Sequence, residues 1–349
     1  MDRIATITRD NVDELLEQLA SHLEVDSSTI VPFTDFTDMM TALLEYSGRG
    51  QTRVLVAGHA SPDTAIAAER AAMESVEILG ASPFVSHPED ILEAIGKTSN
   101  LVYLANPNRV TGSNFSFGHL NRIAQALTEG VLILDETYHD YYGITGLHLL
   151  DAYEHVVVIR SFTAGFGIRS DDSGCLVGSP RFISGFKNHY EWSRITTTIY
   201  RLLATSLAGG ELAARRLTQV HDEALRITNE LTRLNIENRL TSADFLLLRV
   251  ADPRRVTSFL AGFGTIVENL EAYNGLANYL RYRIQSPGSN DHFLAACRRL
   301  PSEHYRMPDI DKRAVMFHRP GEMSAHGCPQ SVRKNRLPAG QTSTEKATV

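Results

Sequence analysis

The sequence predicts an α/β protein: a large domain with a mainly parallel sheet sandwiched by helices, then a smaller C-terminal α+β domain. Three observations lead there. Short β-branched runs bounded by turn residues recur through the first half of the chain, as buried parallel strands do. Segments with apolar residues at helical spacing alternate with them, which is the pattern of βαβ units. A long helical stretch at 211–234 then separates this region from a second, shorter set of strands and helices. The 349 residues allow more than one domain with a sizeable core.

Taken in order, Val12, Leu15, Leu16, Leu19 and Leu23 share one helical face, with Asp10 as the expected N-cap. The stretch VDSSTIVPFTDFTDMMTALLEY reads as a short apolar run, a turn, and a helix from about Asp38. Strands are expected at 53–58, 76–79, 101–105, 131–134 and 156–159, with helices at 62–73, 90–95 and 119–127 between them. Residues 181–207 read as a helical linker. Strands at 245–250 and 280–285, with helices at 256–263 and 291–300, complete the smaller domain. The expected divisions are 1–30 (an N-terminal helical segment), 31–207, 208–300, and an extension at 301–349. Beyond about His318 the extension carries no apolar period and reads as a disordered tail.

Composition excludes several classes. Hydrophobic residues at 43% and charged residues at 21% are ordinary for a globular protein. A net charge of −7 offers no general field for nucleic acid or an anionic membrane. The three cysteines, Cys175, Cys297 and Cys328, have neither disulfide-framework nor zinc-site spacing. No apolar run reaches membrane-spanning length and no signal peptide is apparent, so a cytoplasmic location is expected.

Five short motifs carry the chemistry, each at a predicted strand end. They are Asn106-Pro107-Asn108-Arg109-Val110-Thr111-Gly112; Asp135-Glu136-Thr137-Tyr138; Ser161-Phe162-Thr163-Ala164 with Gly165-Phe166-Gly167; Ser242-Ala243-Asp244-Phe245; and Leu280-Arg281-Tyr282-Arg283-Ile284 followed by Pro287 and Asn290. In this order they resemble the fold-type I, pyridoxal-phosphate-dependent aminotransferases of class I/II, the histidinol-phosphate aminotransferase-like group in particular. The corresponding family patterns are NPNNPTG, DEAY, S-F-S-K-x-F-G, S-x-A-N-F and LRIxIGxPEEN. The resemblance spans roughly residues 12–300 and implies the family's large and small domains, a homodimer, and ligands bound beyond the C-terminal strand ends.

Carried over residue by residue, it makes Asp135 the partner of the cofactor's pyridinium nitrogen and Tyr138 a contact of its ring oxygen. It makes Arg281 the fork for a substrate carboxylate. Of Arg281 and Arg283, only one is expected to face the pocket, the other pointing away. Asn106, His59 and Ser161 fall at further binding positions. His59 is the one residue of Gly58–Pro62 able to stack on a ring.

The departures are systematic. Ala164 stands where the family carries the lysine that anchors the cofactor, so covalent pyridoxal phosphate is not expected. Asp172 replaces the phosphate-binding arginine, Arg109 replaces the asparagine beside the ring oxygen, and Asp35-Phe36-Thr37-Asp38 replaces the small phosphate cup. Anionic side chains in a phosphate site oppose binding, so non-covalent pyridoxal or pyridoxamine phosphate is not expected either. Lysine occurs at Lys97, Lys187, Lys312, Lys334 and Lys346, and Lys187 alone falls in the core near the right stretch.

Three functions stay open from these residues. The first is a cofactor-independent biosynthetic enzyme acting on a small amino-acid-like carboxylate, with Arg109 and Arg281 for anions. There Asp135 or Asp172 would be general acid or base and Tyr138 secondary. The second is a non-catalytic partner or regulatory subunit, in a homodimer or paired with an active, lysine-bearing paralogue. The third is a metal bound by the 135–140 acidic run with Asp171 and Asp172, although no signature spacing supports it. The retained Asp135, Tyr138, Ser161 and Arg281 favour the enzyme on sequence grounds.

Overall fold

The computed structural model describes residues 9–85, 87–97, 100–161, 173–191 and 210–307. Ala164, Asp171 and Asp172 therefore lie outside the described residues, as do 192–209 of the expected linker and the tail.

Helix α1 (Arg9–Leu23) precedes β1 (Ile30–Phe33) and α2 (Phe36–Ser47). Four repeats of strand and helix follow: β2 (Arg53–Ala57), α3 (Pro62–Arg70), β3 (Glu74–Ile78), α4 (Pro88–Ala94), β4 (Leu101–Ala105), α5 (Phe117–Ala126) and β5 (Val131–Asp135) with the short α6 (His139–Tyr142). Strands β6 (Val156–Ser161) and β7 (Gly174–Gly178) lead into α7 (Pro180–Lys187). The resulting seven-stranded sheet has the order β1-β7-β6-β5-β4-β2-β3. Strands β6, β5, β4, β2 and β3 pair in parallel, while β7 pairs antiparallel with both β6 and β1.

This is the mainly parallel sheet the apolar runs predict, and its inner strands are mostly buried, β4 and β6 at every position. The two faces divide by residue parity. Val54, Val56, Tyr103, Ile133, Val157 and Ile159 pack under α2 and α7. Leu55, Val102, Leu104, Leu132, Leu134, Val156 and Val158 pack under α4 and α5.

The second sheet is smaller and antiparallel, ordered β10-β11-β9-β8. The long α8 (Gly210–Arg233) leads into β8 (Glu237–Leu240) and β9 (Phe245–Arg249). Then come α9 (Pro253–Gly262), β10 (Glu268–Asn269), β11 (Tyr279–Arg283), α10 (Pro287–Cys297) and α11 (Ser302–Tyr305). Strands β1, β7, β8 and β10 are absent from the sequence reading: β1 and β7 are short buried runs without alternation, β8, mostly exposed, lacks an apolar alternation, and β10 is only two residues long. Asn290 pins this region: its amide accepts from Tyr282 Oη at 2.8 Å and the Gln285 N–H at 3.0 Å, and donates to Glu223 at 2.7 Å.

Three expectations need correcting. Asp10 lies inside α1 rather than capping it. Helix α10 starts at Pro287, capped by the Ser286 hydroxyl, rather than near Asp291. Arg281 and Arg283 share one face of β11, because residues two apart in a strand point the same way; Leu280 and Tyr282 are the buried alternates.

Candidate functional site

The C-terminal ends of β2, β4 and β5 carry His59, Arg109 and Asp135; Arg109 meets Asp135, while the His59 ring faces Glu77 and Tyr273. Two turns make this possible. Asn108 Oδ1 accepts from Val110 N and Thr111 N, both at 3.0 Å, folding the loop after β4, while its Nδ2 donates to the His59 carbonyl at 3.0 Å. Asn106, behind a cis Asn106-Pro107 bond, pairs both ways with the Phe115 backbone, accepting at 2.7 Å and donating at 3.2 Å. Asn106 is thus engaged in holding the loop. Gly112 ends the same loop at φ +66°, and a Cβ there would meet Thr241 Cβ at 2.4 Å, so glycine is what lets the two sheets approach.

Asp135 is fully buried. Its Oδ1 accepts from Thr137 N at 2.9 Å and Thr137 Oγ1 at 2.5 Å. Its Oδ2 accepts from Tyr103 Oη at 2.5 Å and faces Arg109 Nη1 at 3.5 Å. Tyr103 in turn accepts from Thr64 Oγ1 at 3.2 Å. Burial, then the Asp135 charge, holds the Tyr103 hydroxyl well above its ordinary value, so it stays a donor.

Arg109 is the central group. Its side chain is 7% exposed, its Nη2 donates to Asp63 at 3.2 Å, and its guanidinium lies over the Phe36 ring at 4.4 Å. Burial alone would lower its pKa, but Asp135 leads the neighbours that raise it overall, so the cation is fixed. The side chain sequence reasoning places at an anion is therefore flanked by two carboxylates. Neither Asp63 nor Tyr103 was singled out in the sequence. Tyr103 carried a usable signal, sharing β4 parity with the strand-end face, whereas Asp63 looks like any acid in a first helical turn.

His59 is buried, its Nδ1 lies 3.4 Å from Glu77, and its ring meets Tyr273 edge-on at 5.6 Å. Its Nε2 is buried without a hydrogen-bond partner among the described residues. Arg281 binds Glu268 through Nε at 2.8 Å and through Nη2, and donates from Nη1 to the Arg109 carbonyl at 2.6 Å. Arg283 Nη2 donates to Tyr138 Oη at 3.2 Å, and its Nε lies 3.4 Å from Asp244. Tyr138 thus sits at the junction of the two sheets, stacked edge-on against Phe245. Ser161 ends β6, with its Oγ 3.4 Å from the Ser173 carbonyl. Asp35, read as part of a phosphate cup, caps α2 by accepting from Asp38 N at 2.8 Å. No group of three or more His, Cys, Asp or Glu side chains is placed to hold a metal among the described residues. No helix among them is long and apolar enough to cross a membrane.

Residues 3–279 match the sequence profile of the family described as aminotransferase class I and II. The chain belongs to that family. It is related to histidinol-phosphate aminotransferases: the one from Caldanaerobacter subterraneus subsp. tengcongensis is 28% identical over 206 residues, 58% of this chain and 57% of that protein. The one from Bacteroides thetaiotaomicron is 27% identical over 217 residues, 60% of this chain and 62% of its own. The chain thus matches less than two thirds of the length of these relatives. In fold, it resembles the crystal structure of histidinol-phosphate aminotransferase from Sinorhizobium meliloti in complex with pyridoxal-5'-phosphate. The TM-score is 0.76 at 18% identity, covering 84% of this chain and 82% of that one. The Clostridium acetobutylicum histidinol-phosphate aminotransferase gives 0.75 at 17% identity, covering 85% and 90%. The α/β fold expected from the sequence is that of this family.

Proposed function

We propose that this chain is an aminotransferase-fold protein that does not run pyridoxal-phosphate transamination and serves as a non-catalytic subunit, in a homodimer or beside a lysine-bearing relative. The observation that carries the proposal is Arg109, held between Asp63 and Asp135 over Phe36. As placed, these residues do not fit pyridoxal phosphate. The carboxylate that a pyridinium nitrogen needs already has a hydroxyl and a backbone N–H on one oxygen, and a phenol and a guanidinium at the other. Admitting a cationic ring there requires Arg109 to leave, and separating a buried pair costs about 3–5 kcal/mol. Ala164 supplies no amine, and Lys187, half-buried with its pKa lowered by burial, stands at the end of α7.

The test is titration of the purified protein with pyridoxal phosphate, followed by borohydride reduction and peptide mass analysis. No pyridoxyl adduct is expected; a stoichiometric adduct on Lys187 or any other lysine sinks the proposal. Sedimentation should find a dimer at micromolar concentration, and a monomer would count against the subunit role.

A second reading has one observation in its favour. His59 Nε2 is buried and unpartnered beside Tyr273, and Arg281 lies 21% exposed at the same junction. A small amino-acid-like carboxylate that displaced Glu268 from Arg281 would bind there without a cofactor. Ligand-induced thermal stabilisation that disappears in Arg281→Ala would support this second reading.

A further inference from the structure

A cavity of about 690 Å³ lies on the other side of the large sheet from Arg109. That volume is within the roughly 300–1,000 Å³ typical of small-molecule sites. It is walled by the end of α1, the loop after α6, β6 and the start of α7, and nothing in the family resemblance assigns it a role. Arg160 forms its polar wall. Arg160 follows Ile159 in β6, so its side chain points away from the face that carries Asp135, onto the face of Val156 and Val158.

The chemistry of Arg160 is half used. Its side chain is 9% exposed, and Nη1 donates to Glu136 at 2.8 Å and approaches Thr145 Oγ1 at 3.5 Å. Its Nε and Nη2 bond to no described residue. Neither is among the buried atoms left without a partner, so this edge opens on the cavity that Arg160 lines. The Nε–Nη2 edge is the one on which guanidinium holds a carboxylate through two parallel hydrogen bonds. Leu147 and Leu150 give the cavity an apolar wall, and the rim carries Glu24, Asp26 and Asp151. Asp26 also caps the turn that follows it, accepting from Ser28 N at 2.8 Å; the acids oppose a ligand that is only an anion and suit one that also carries an ammonium group.

We propose that this cavity binds a free α-amino acid with an apolar side chain. The carboxylate lies on the open edge of Arg160, the ammonium faces the acidic rim, and the side chain packs on Leu147 and Leu150. The site goes beyond the subunit role proposed above and does not depend on it. Its position suits regulation: Glu136 and Arg160 are the chain neighbours of Asp135 and Ser161, so an occupant would press on the ends of β5 and β6.

Isothermal titration calorimetry with L-leucine and L-methionine tests the proposal, alongside 4-methyl-2-oxopentanoate and isoamylamine as probes lacking the ammonium or the carboxylate. The amino acids should bind, and each single-charge probe should bind at least tenfold more weakly. Arg160→Lys keeps a cation for Glu136 but removes the fork, and it should weaken L-leucine at least tenfold. Asp151→Asn, on the exposed rim, should weaken it severalfold without threatening the fold, which circular dichroism would check. Absence of heat with both amino acids at millimolar concentration overturns the proposal. So does affinity unchanged in both variants, or binding lost in Arg281→Ala, which would move the ligand to the strand-end cleft.

Discussion

Asp135 and Glu136 are neighbours in sequence, both wholly buried, and each faces its own arginine across the large sheet. The pairs differ in how completely the protein uses them. On one face Arg109 is shared between Asp135 and Asp63, stacked on Phe36, and backed by Tyr103 and Thr64. On the other, Glu136 accepts from Gly146 N at 2.5 Å, Thr145 Oγ1 at 2.8 Å and Arg160, while Arg160 keeps one edge toward a cavity. The comparison teaches that a buried ion pair by itself says little about function. What matters is which lone pairs and N–H groups remain once the chain's own partners are counted.

The largest expected effect breaks the first pair. Arg109→Ala leaves Asp135 buried beside Tyr103 with its nearest cation gone, and should cost about 3–5 kcal/mol in urea denaturation. A loss under about 1 kcal/mol would mean that Arg109, with Asp63 and Asp135, does not hold the strand ends together.

Acid should discriminate between the faces next. Burial, then the Arg160 charge, lowers the His139 pKa from 6.5 to about 4. The unfolded chain therefore binds this proton first. The stabilising contribution is present above pH 6.5 and is lost as pH falls from 6.5 toward 4, by about 3 kcal/mol at most. Glu136 acts in the opposite sense. Burial raises its pKa despite Arg160, so its ionisation costs stability as pH rises past the ordinary carboxylate range. His139→Gln should flatten the acid limb between pH 6.5 and 4 while leaving Arg109 untouched; an unchanged limb would assign the acid sensitivity elsewhere.

Tyr103→Phe, the smallest change, removes one hydrogen bond to Asp135 and leaves the other donors in place. It should cost about 1.5–3 kcal/mol, the range for bonds to a charged group. If it matches Arg109→Ala, then the phenol rather than the guanidinium is the main support of Asp135.

The comparison also shows which parts of the site could be read in advance. Asp135, Arg109 and Tyr138 were identifiable because each sits in a motif at a strand end, where open α/β sheets gather their ligands, and Arg281 because its motif resembles the family's, although it stands mid-strand in β11. Their partners were not. Asp63 and Asp135 are 72 residues apart in sequence, and nothing local in a first-turn acid marks it as the acceptor for Arg109. Glu268 lies on a two-residue strand that carries no pattern, although it engages Arg281. Arg160 falls just past the strand expected at 156–159, and its polar role appears only where α1, the loop after α6 and α7 converge.

By itself, the sequence determined the class of fold, because hydrophobic period and turn chemistry are local properties, and its motifs carried the resemblance to the family. It also determined that no lysine stands at position 164. Only the tertiary structure decided what each charge is for. Arg109 meets two carboxylates, Arg281 meets Glu268, and Arg160 keeps an edge open. The reason is physical: a buried charge is defined by its nearest opposite charges and remaining hydrogen-bond vacancies, and those come from elements far apart in the chain.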